Sequence, residues 1–220
     1  MTSVLLSVSA LLAGSALVAP AAGAAPATDR PAGVPSGWQA VDAAELERIA
    51  GERGALRAPS AAGEKVSALA EEEVLAIQSV RNSRFVAAEV TYPAPNTGVL
   101  RARSAAVGGS WESFGFQYDE TTDTWSLRSL ANNRYVAVEK NFTGSARNVL
   151  RARSTSVGGW ERFTLWVHET EQRWALQSEL NGMFVTMENN YAGSLQYALR
   201  ARSTDITGSW EEFVLYDLEA

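Results

Sequence analysis

Along most of the chain apolar and polar residues alternate one by one, the period of a strand with one buried face. Leu150, Ala152 and Ser154 fall on one side of such a strand, and Arg151 and Arg153 on the other. Four segments of this kind follow each other: WSLRS from Trp125, RYVAVE from Arg134, VLRARS from Val149 and ERFTLWV from Glu161. A turn holding Asn132 and Asn133, a loop holding Thr143, Gly144 and Ser145, and the pair Gly158 and Gly159 separate them. Such residues punctuate strands because they tolerate turn geometry. The same phrase occurs again as LRARSAAVGGSWESF from Leu100 to Phe114 and as LRARSTDITGSWEEF from Leu199 to Phe213.

The repetition decides the architecture before local propensity does. Three units of about 49 residues span 74–124, 125–173 and 174–220. A propeller needs at least about four blades to close, and a helical solenoid would show a 3.6-residue apolar period that these units lack. Three copies of four strands predict an all-β fold, a twelve-stranded β-trefoil over 74–220. In that fold six strands form a short barrel and six form a hairpin cap over one end. The repeated apolar residues Val86, Val136 and Val185, then Leu100, Leu150 and Leu199, then Phe114, Phe163 and Phe213, are expected to meet near its axis.

The preceding segment, 26–73, differs in character. It opens with the Pro, Ala, Gly and Ser of a flexible linker. Within it the run VDAAELERIAGERG predicts one helix over about 42–53, with Asp42 as cap, Glu45 as capping-box partner and Val41 stapled to Leu46. Gly51 or Gly54 would end it. The expectation is a helix that packs on the domain or spaces it; docking a protein partner through 26–73 is the alternative. Residues 1–25 read as a signal peptide: the apolar run from about Val4 to Val18 is short for a membrane span, and Ala-rich cleavage sites follow. No Lys or Arg precedes that run, a departure from the usual pattern. Export is therefore expected, with no membrane association after cleavage.

Composition narrows the functional classes. With 46% apolar residues among 220 the chain can form a substantial core. A net charge of −6 argues against nucleic acid or anionic lipid as a partner. There is no cysteine, which removes disulfides and thiolate metal sites, and His168 is the only histidine. No phosphate loop, metal-ligand cluster or nucleophile elbow occurs. No cofactor and no catalysis are expected.

Candidate chemistry sits in the tripled residues. If Phe114, Phe163 and Phe213 point inward, then Trp111, Trp160 and Trp210 face outward beside glycine turns, as platforms on which a sugar ring can stack. The same rings could equally cover barrel corners. Two sets of carboxylates accompany them: Glu112, Glu161 and Glu211 follow each Trp, and Glu89, Glu139 and Glu188 end each second strand. Either set could accept bonds from sugar hydroxyls, or pair with the six arginines between Arg101 and Arg202. Trp125 and Trp174 align with Leu75, which points to burial. Trp166, aligned with Gln117 and Tyr216, is expected on the outer face, and Trp38 has no counterpart.

The strings N-x-R-Y/F-V-x-x-E, L-R-A-R-S and G-x-W-E-x-F together resemble the fascin-type β-trefoil repeat, over about Val74 to the C-terminus. The third copy departs at Met183, where the others have Arg84 and Arg134. Similar modules of secreted bacterial glycoside hydrolases recognise β-1,3- and β-1,6-glucans through one Trp and one Glu in each of three sites. The resemblance thus implies a secreted, non-catalytic carbohydrate-binding protein with up to three pseudo-equivalent sites. The Q-x-W mark of ricin-type trefoils occurs once, at Gln172 to Trp174, and is not repeated. A secreted protein-interaction module, an adaptor or inhibitor using 26–73 or the trefoil loops, is the alternative. Actin cross-linking, the namesake role, fits poorly with a signal peptide and a single trefoil.

Overall fold

The computed structural model describes residues 32–53 and 72–219. The signal peptide expected over 1–25 lies outside them. In chain order the elements are β1 (Trp38–Ala40), α1 (Ala43–Arg53), β2 (Glu73–Ser79), β3 (Phe85–Glu89), β4 (Val99–Ser104), β5 (Phe114–Asp119), β6 (Thr124–Ser129), β7 (Arg134–Val138), β8 (Leu150–Ser154), β9 (Phe163–His168), β10 (Arg173–Ser178), β11 (Phe184–Met187), β12 (Leu199–Ser203) and β13 (Phe213–Asp217). From β2 onward these are the twelve strands that the alternation predicts.

Six of them close a barrel. β2 pairs with β5, β5 with β6, β6 with β9, β9 with β10, β10 with β13, and β13 returns to β2. The remaining six form hairpins β3–β4, β7–β8 and β11–β12, each with a register shift at the same place, between Phe85/Val86, Tyr135/Val136 and Phe184/Val185. A bulge bends its strand, and three equivalent bends fold three hairpins over one barrel end. This is a β-trefoil. The predicted axial residues Val86, Val136, Val185, Leu100, Leu150, Leu199, Phe114, Phe163 and Phe213 are all buried in one cluster. Trp125 and Trp174 belong to the same core.

The N-x-R motif is explained by a turn. Asn82, Asn132 and Asn181 donate their side-chain amides to the carbonyls of Ala102, Ala152 and Ala201 at 2.9, 2.9 and 3.0 Å. Their side-chain oxygens accept from the backbone N–H of Arg84, Arg134 and Met183 at 3.1, 3.2 and 3.1 Å. One side chain thereby ties the turn to its hairpin and holds the intervening residue at positive φ, 54° at Ser83, 53° at Asn133 and 66° at Gly182. The arginine of the motif is exposed in the first two copies, and Met183 packs against the core, so its departure leaves the turn intact.

The N-terminal segment corrects the linker reading. β1 adds to the barrel wall, with Trp38 opposite His168 and Ala40 opposite Trp166 on β9. Val34 and Trp38 are buried with Trp166, Ala175, Phe184 and Ile206. Trp166, expected on the outer face, does point away from the barrel axis, but β1 covers it. Next, Val41 donates to the carbonyl of Leu165 at 2.9 Å and accepts from the indole of Trp125 at 2.6 Å. Helix α1 begins there. Asp42 accepts from the N–H of Glu45 at 2.8 Å, as an N-cap should. The carboxylate of Glu45 turns to Arg48 and Gln39 instead of closing the capping box. Val41, Leu46 and Ile49 then join the main core beside Trp125 and Trp174, at the barrel end opposite the hairpins. The helix runs through Gly51 to Arg53.

Covering segments break the threefold symmetry of the outer wall. Val107, Val157 and Ile206 hold equivalent positions, yet they are 7%, 36% and 5% exposed. Tyr216 and Leu218 pack beside Val107, and the N-terminal strand packs beside Ile206. A buried ion pair marks another single-copy feature: Glu72 grips Arg128 through both oxygens, with Nε at 2.7 Å, and lies against Gly115.

Candidate functional site

Each WE-F motif is a short turn entering a barrel strand, and its carboxylate closes that turn. Glu112 accepts from the Ser104 hydroxyl at 2.7 Å and the Gly108 N–H at 3.2 Å. Glu161 accepts from the Gly158 N–H at 2.9 Å. Glu211 accepts from the N–H and hydroxyl of Thr207 at 3.2 and 3.0 Å. All three are buried. As carboxylates bound to backbone amides they hold the Trp-bearing turn rigid, and this is a structural office.

The other set is buried just as deeply, with Glu89, Glu139 and Glu188 at 0%, 4% and 5% exposure. Each lies between the two arginines of the following LRARS strand. Glu89 pairs with Arg101 at 3.6 Å and grips Arg103 through Nε and Nη2. Glu139 pairs with Arg151 at 3.1 Å and Arg153 at 2.5 Å. Glu188 pairs with Arg200 at 3.7 Å and Arg202 at 2.7 Å. Neither set therefore presents a free carboxylate to solvent, which corrects the expectation that one Glu per site meets a sugar hydroxyl directly. What reaches solvent is the second arginine: the side chains of Arg103, Arg153 and Arg202 are 41%, 35% and 53% exposed. The hydrogen bond that Arg103 donates to Glu89 is the main cause that raises Arg103 above the usual guanidinium range. Burial is the main cause that lowers Arg151, against the pull of Glu139.

The first arginine of each strand has a different task. Arg101 donates from Nε to the carbonyl of Gln196 at 2.6 Å, Arg151 to Thr97 at 3.0 Å and Arg200 to Arg147 at 2.7 Å. Each one crosses to the loop of another repeat, so the three lace the cap together around the axis. Their guanidiniums also lie over aromatic rings, Tyr92, Phe142 and Tyr191, at 5.6, 5.4 and 5.5 Å from the ring centres. This tripled aromatic escaped the sequence reading because the loops around it differ. The spacing E-x-x-Y/F in Glu89 to Tyr92, Glu139 to Phe142 and Glu188 to Tyr191 was the available signal.

Trp111, Trp160 and Trp210 are all half-buried. Their main chain is committed to the fold: the carbonyls of Trp160 and Trp210 accept from Val138 and Met187 at 3.0 and 2.9 Å. Their rings differ. Arg153 lies over Trp160 at 5.5 Å, and Arg81, from the β2–β3 turn, lies over Trp210 at 4.5 Å. In the second repeat Phe142, Arg151, Glu139, Arg153 and Trp160 thus form one continuous run, which brings the stacking ring and the Glu139 set into a single site. Among the described residues no group of His, Asp or Glu is placed to hold a metal.

No family model matches the sequence, and no curated protein matches it either. Solved structures do. The designed three-fold symmetric protein ThreeFoil superposes with a TM-score of 0.54 at 16% identity, over 66% of this chain and 99% of its own. A ricin B-like lectin of Macrolepiota procera, solved in complex with lactose, gives a TM-score of 0.51 at 12% identity, over 69% of this chain and 99% of its own. An endo-β-galactosidase of Clostridium perfringens that releases GlcNAcα1-4Gal gives 0.50 at 9% identity, over 66% of this chain and 32% of its own. At these identities the likeness establishes the trefoil fold alone.

Proposed function

We propose that this protein is an exported, non-catalytic carbohydrate-binding trefoil whose sugar contacts are made by Trp111, Trp160 and Trp210 together with Arg103, Arg153 and Arg202. The observation that carries this reading is the pre-organisation of each pair. In each repeat a half-buried indole stands on a turn locked by a buried carboxylate and an exposed guanidinium is held by a second buried carboxylate, and in the second repeat the two meet, with Arg153 5.5 Å from the centre of the Trp160 ring. Rigid donors and a rigid ring lose little freedom on binding. Arg103 has its Nη1 without a protein partner among the described residues, and Arg153 has both Nη1 and Nη2. These N–H groups can donate to sugar hydroxyls while the indole face meets the C–H face of the ring.

The fascin-type resemblance of the repeat suggests β-1,3- or β-1,6-glucan as the ligand. In this chain the Glu of that pattern would act through the arginine it positions. A lectin among the structural neighbours, solved with lactose, is in keeping with a trefoil that carries sugar. The test is affinity electrophoresis of the mature protein through gels holding soluble β-glucans and other polysaccharides. The Trp111→Ala, Trp160→Ala, Trp210→Ala triple variant, first checked for cooperative unfolding, runs beside it. Retardation by one polysaccharide class that disappears in the folded variant supports the reading. Equal mobility on every polysaccharide refutes it and directs attention to protein partners.

A further inference from the structure

The three tryptophan platforms share a sequence motif but not an environment. Arg81 stands at the second position of its turn after Ser79, and the equivalent residues after Ser129 and Ser178 are Ala131 and Leu180. Only the first turn can therefore send a guanidinium across a neighbouring Trp. It does so at Trp210, with the guanidinium carbon 4.5 Å from the ring centre, close enough to occupy the face a sugar would use. Arg81 is exposed and, among the described residues, has no carboxylate partner. Trp160 is shaded from farther away, at 5.5 Å, by Arg153. That arginine is bound to Glu139 at 2.5 Å, so it forms a fixed wall of the site rather than a movable cover. Trp111 has no cation or aromatic ring over it among the described residues.

We infer that the sites are graded: Trp111 is the open platform that leads binding, Trp160 supports it, and Trp210 is closed by Arg81 acting as a displaceable lid. This rests on the carbohydrate reading for its consequence, but the lid itself is independent of any ligand. A sugar arriving at Trp210 must first displace the guanidinium and give up its attraction to the indole. An exposed contact of this kind corresponds to roughly 2–5-fold in affinity. Arg81 would then set how many sites the protein offers.

Two measurements separate the lid from the ligand. In the first, tryptophan fluorescence is quenched with acrylamide, a neutral quencher that the loss of a charge does not attract or repel. Trp38, Trp125, Trp166 and Trp174 are buried and contribute little. Arg81→Ala is expected to raise the quenching constant, and Arg81→Ala with Trp210→Phe to abolish that rise relative to Trp210→Phe alone. An unchanged constant in Arg81→Ala overturns the lid, whatever the protein binds. In the second, single variants are run against the polysaccharide that retards the wild type. Trp111→Ala is expected to weaken retardation at least ten-fold, Trp210→Ala less than two-fold, and Arg81→Ala to strengthen it. A Trp210→Ala loss equal to that of Trp111→Ala overturns the grading, as does weaker binding by Arg81→Ala. If no polysaccharide retards the wild type, the carbohydrate reading fails and the quenching result alone decides the lid.

Discussion

Replacing Glu139 by glutamine distinguishes a carboxylate that builds the site from one that touches the ligand. The change keeps the shape and removes one charge from between Arg151 and Arg153. Removing one partner of a buried ion pair costs about 3–5 kcal/mol, because the remaining charge stays buried. Of the two arginines only Arg151 is well buried, at 13% side-chain exposure, while Arg153 is 35% exposed and contributes little. A half-exposed pair is worth about 0–1 kcal/mol. The amide of glutamine can still accept one arginine bond, so the lower end applies, about 3 kcal/mol. For a domain of this size each kcal/mol moves the melting temperature by about 2–4 °C, so a fall of about 6–12 °C is expected. Calorimetry on Glu139→Gln measures it, with polysaccharide retardation run below the transition, where the folded variant should still bind. Melting within about 2 °C of wild type together with lost retardation would refute the reasoning, because the carboxylate would then face the ligand.

Four further outcomes test the scaffold. Trp38→Ala should destabilise by about 3–5 kcal/mol, since it removes a buried ring from the seam between β1 and β9, and denaturant unfolding reads it directly. Asn132→Ala leaves the Ala152 carbonyl and the Arg134 N–H without their side-chain partner, so a loss of about 1–3 kcal/mol is expected, with Asn82→Ala close to it because the geometry is the same. Gly115→Ala would place a methyl group 2.5 Å from the Glu72 carboxylate and force apart its pair with Arg128, so its thermal transition should fall clearly below that of Gly159→Ala, where nothing lies within 4 Å. The phenol of Tyr118 is pushed up to about 12, chiefly by its hydrogen bond to Asp123, then by burial and by the Asp123 charge. The folded value lies above the unfolded one of about 10. Its contribution to stability is thus whole below that pH and lost as pH rises toward 12, and ultraviolet titration of Asp123→Asn should show the inflection move down.

The fold was legible because the chain states its rule three times. Alternation places Leu150 and Ala152 inward, and the repeat period aligns them with Leu100 and Ala102, then Leu199 and Ala201; an error in one copy would have conflicted with two others. Features present once had no such check. Trp38 sits after a Gly- and Pro-rich stretch that reads as linker, and no local pattern tells that three residues will pair with β9. Trp166 was placed on the correct side of its strand, but the segment that buries it lies far away in sequence. The two Glu sets show where periodicity stops. It assigns a face to each carboxylate and not a partner, and partners here lie between 2 and 14 residues away, at Thr186 for Glu188 and at Arg153 for Glu139.

Tripled and single features also divide the labour between fold and recognition. Arg101, Arg151 and Arg200 each anchor on another repeat's loop, so no repeat completes its own cap, and the lattice of buried Glu and Arg must be common to all three. That common frame releases much of the loops: TYPAPNTG, NFTGSARN and NYAGSLQY can differ around the tripled aromatic because the arginine bonds that cross between repeats go to their carbonyls. Discrimination among ligands must then come from residues that the repeat does not share, and Arg81 is the one that lies on a platform. Closing Trp210 does not forfeit avidity. A polymer held at Trp111 presents its next sugars to Trp160 at raised effective concentration, and a second engagement can strengthen binding by about 10²–10⁴-fold without a third. On the proposed grading, with two platforms open, the protein would favour gripping one chain twice over bridging three. Opening Trp210 through Arg81→Ala should accordingly show first in cross-linking, as turbidity with a branched polysaccharide, and only weakly in the affinity for a short oligosaccharide.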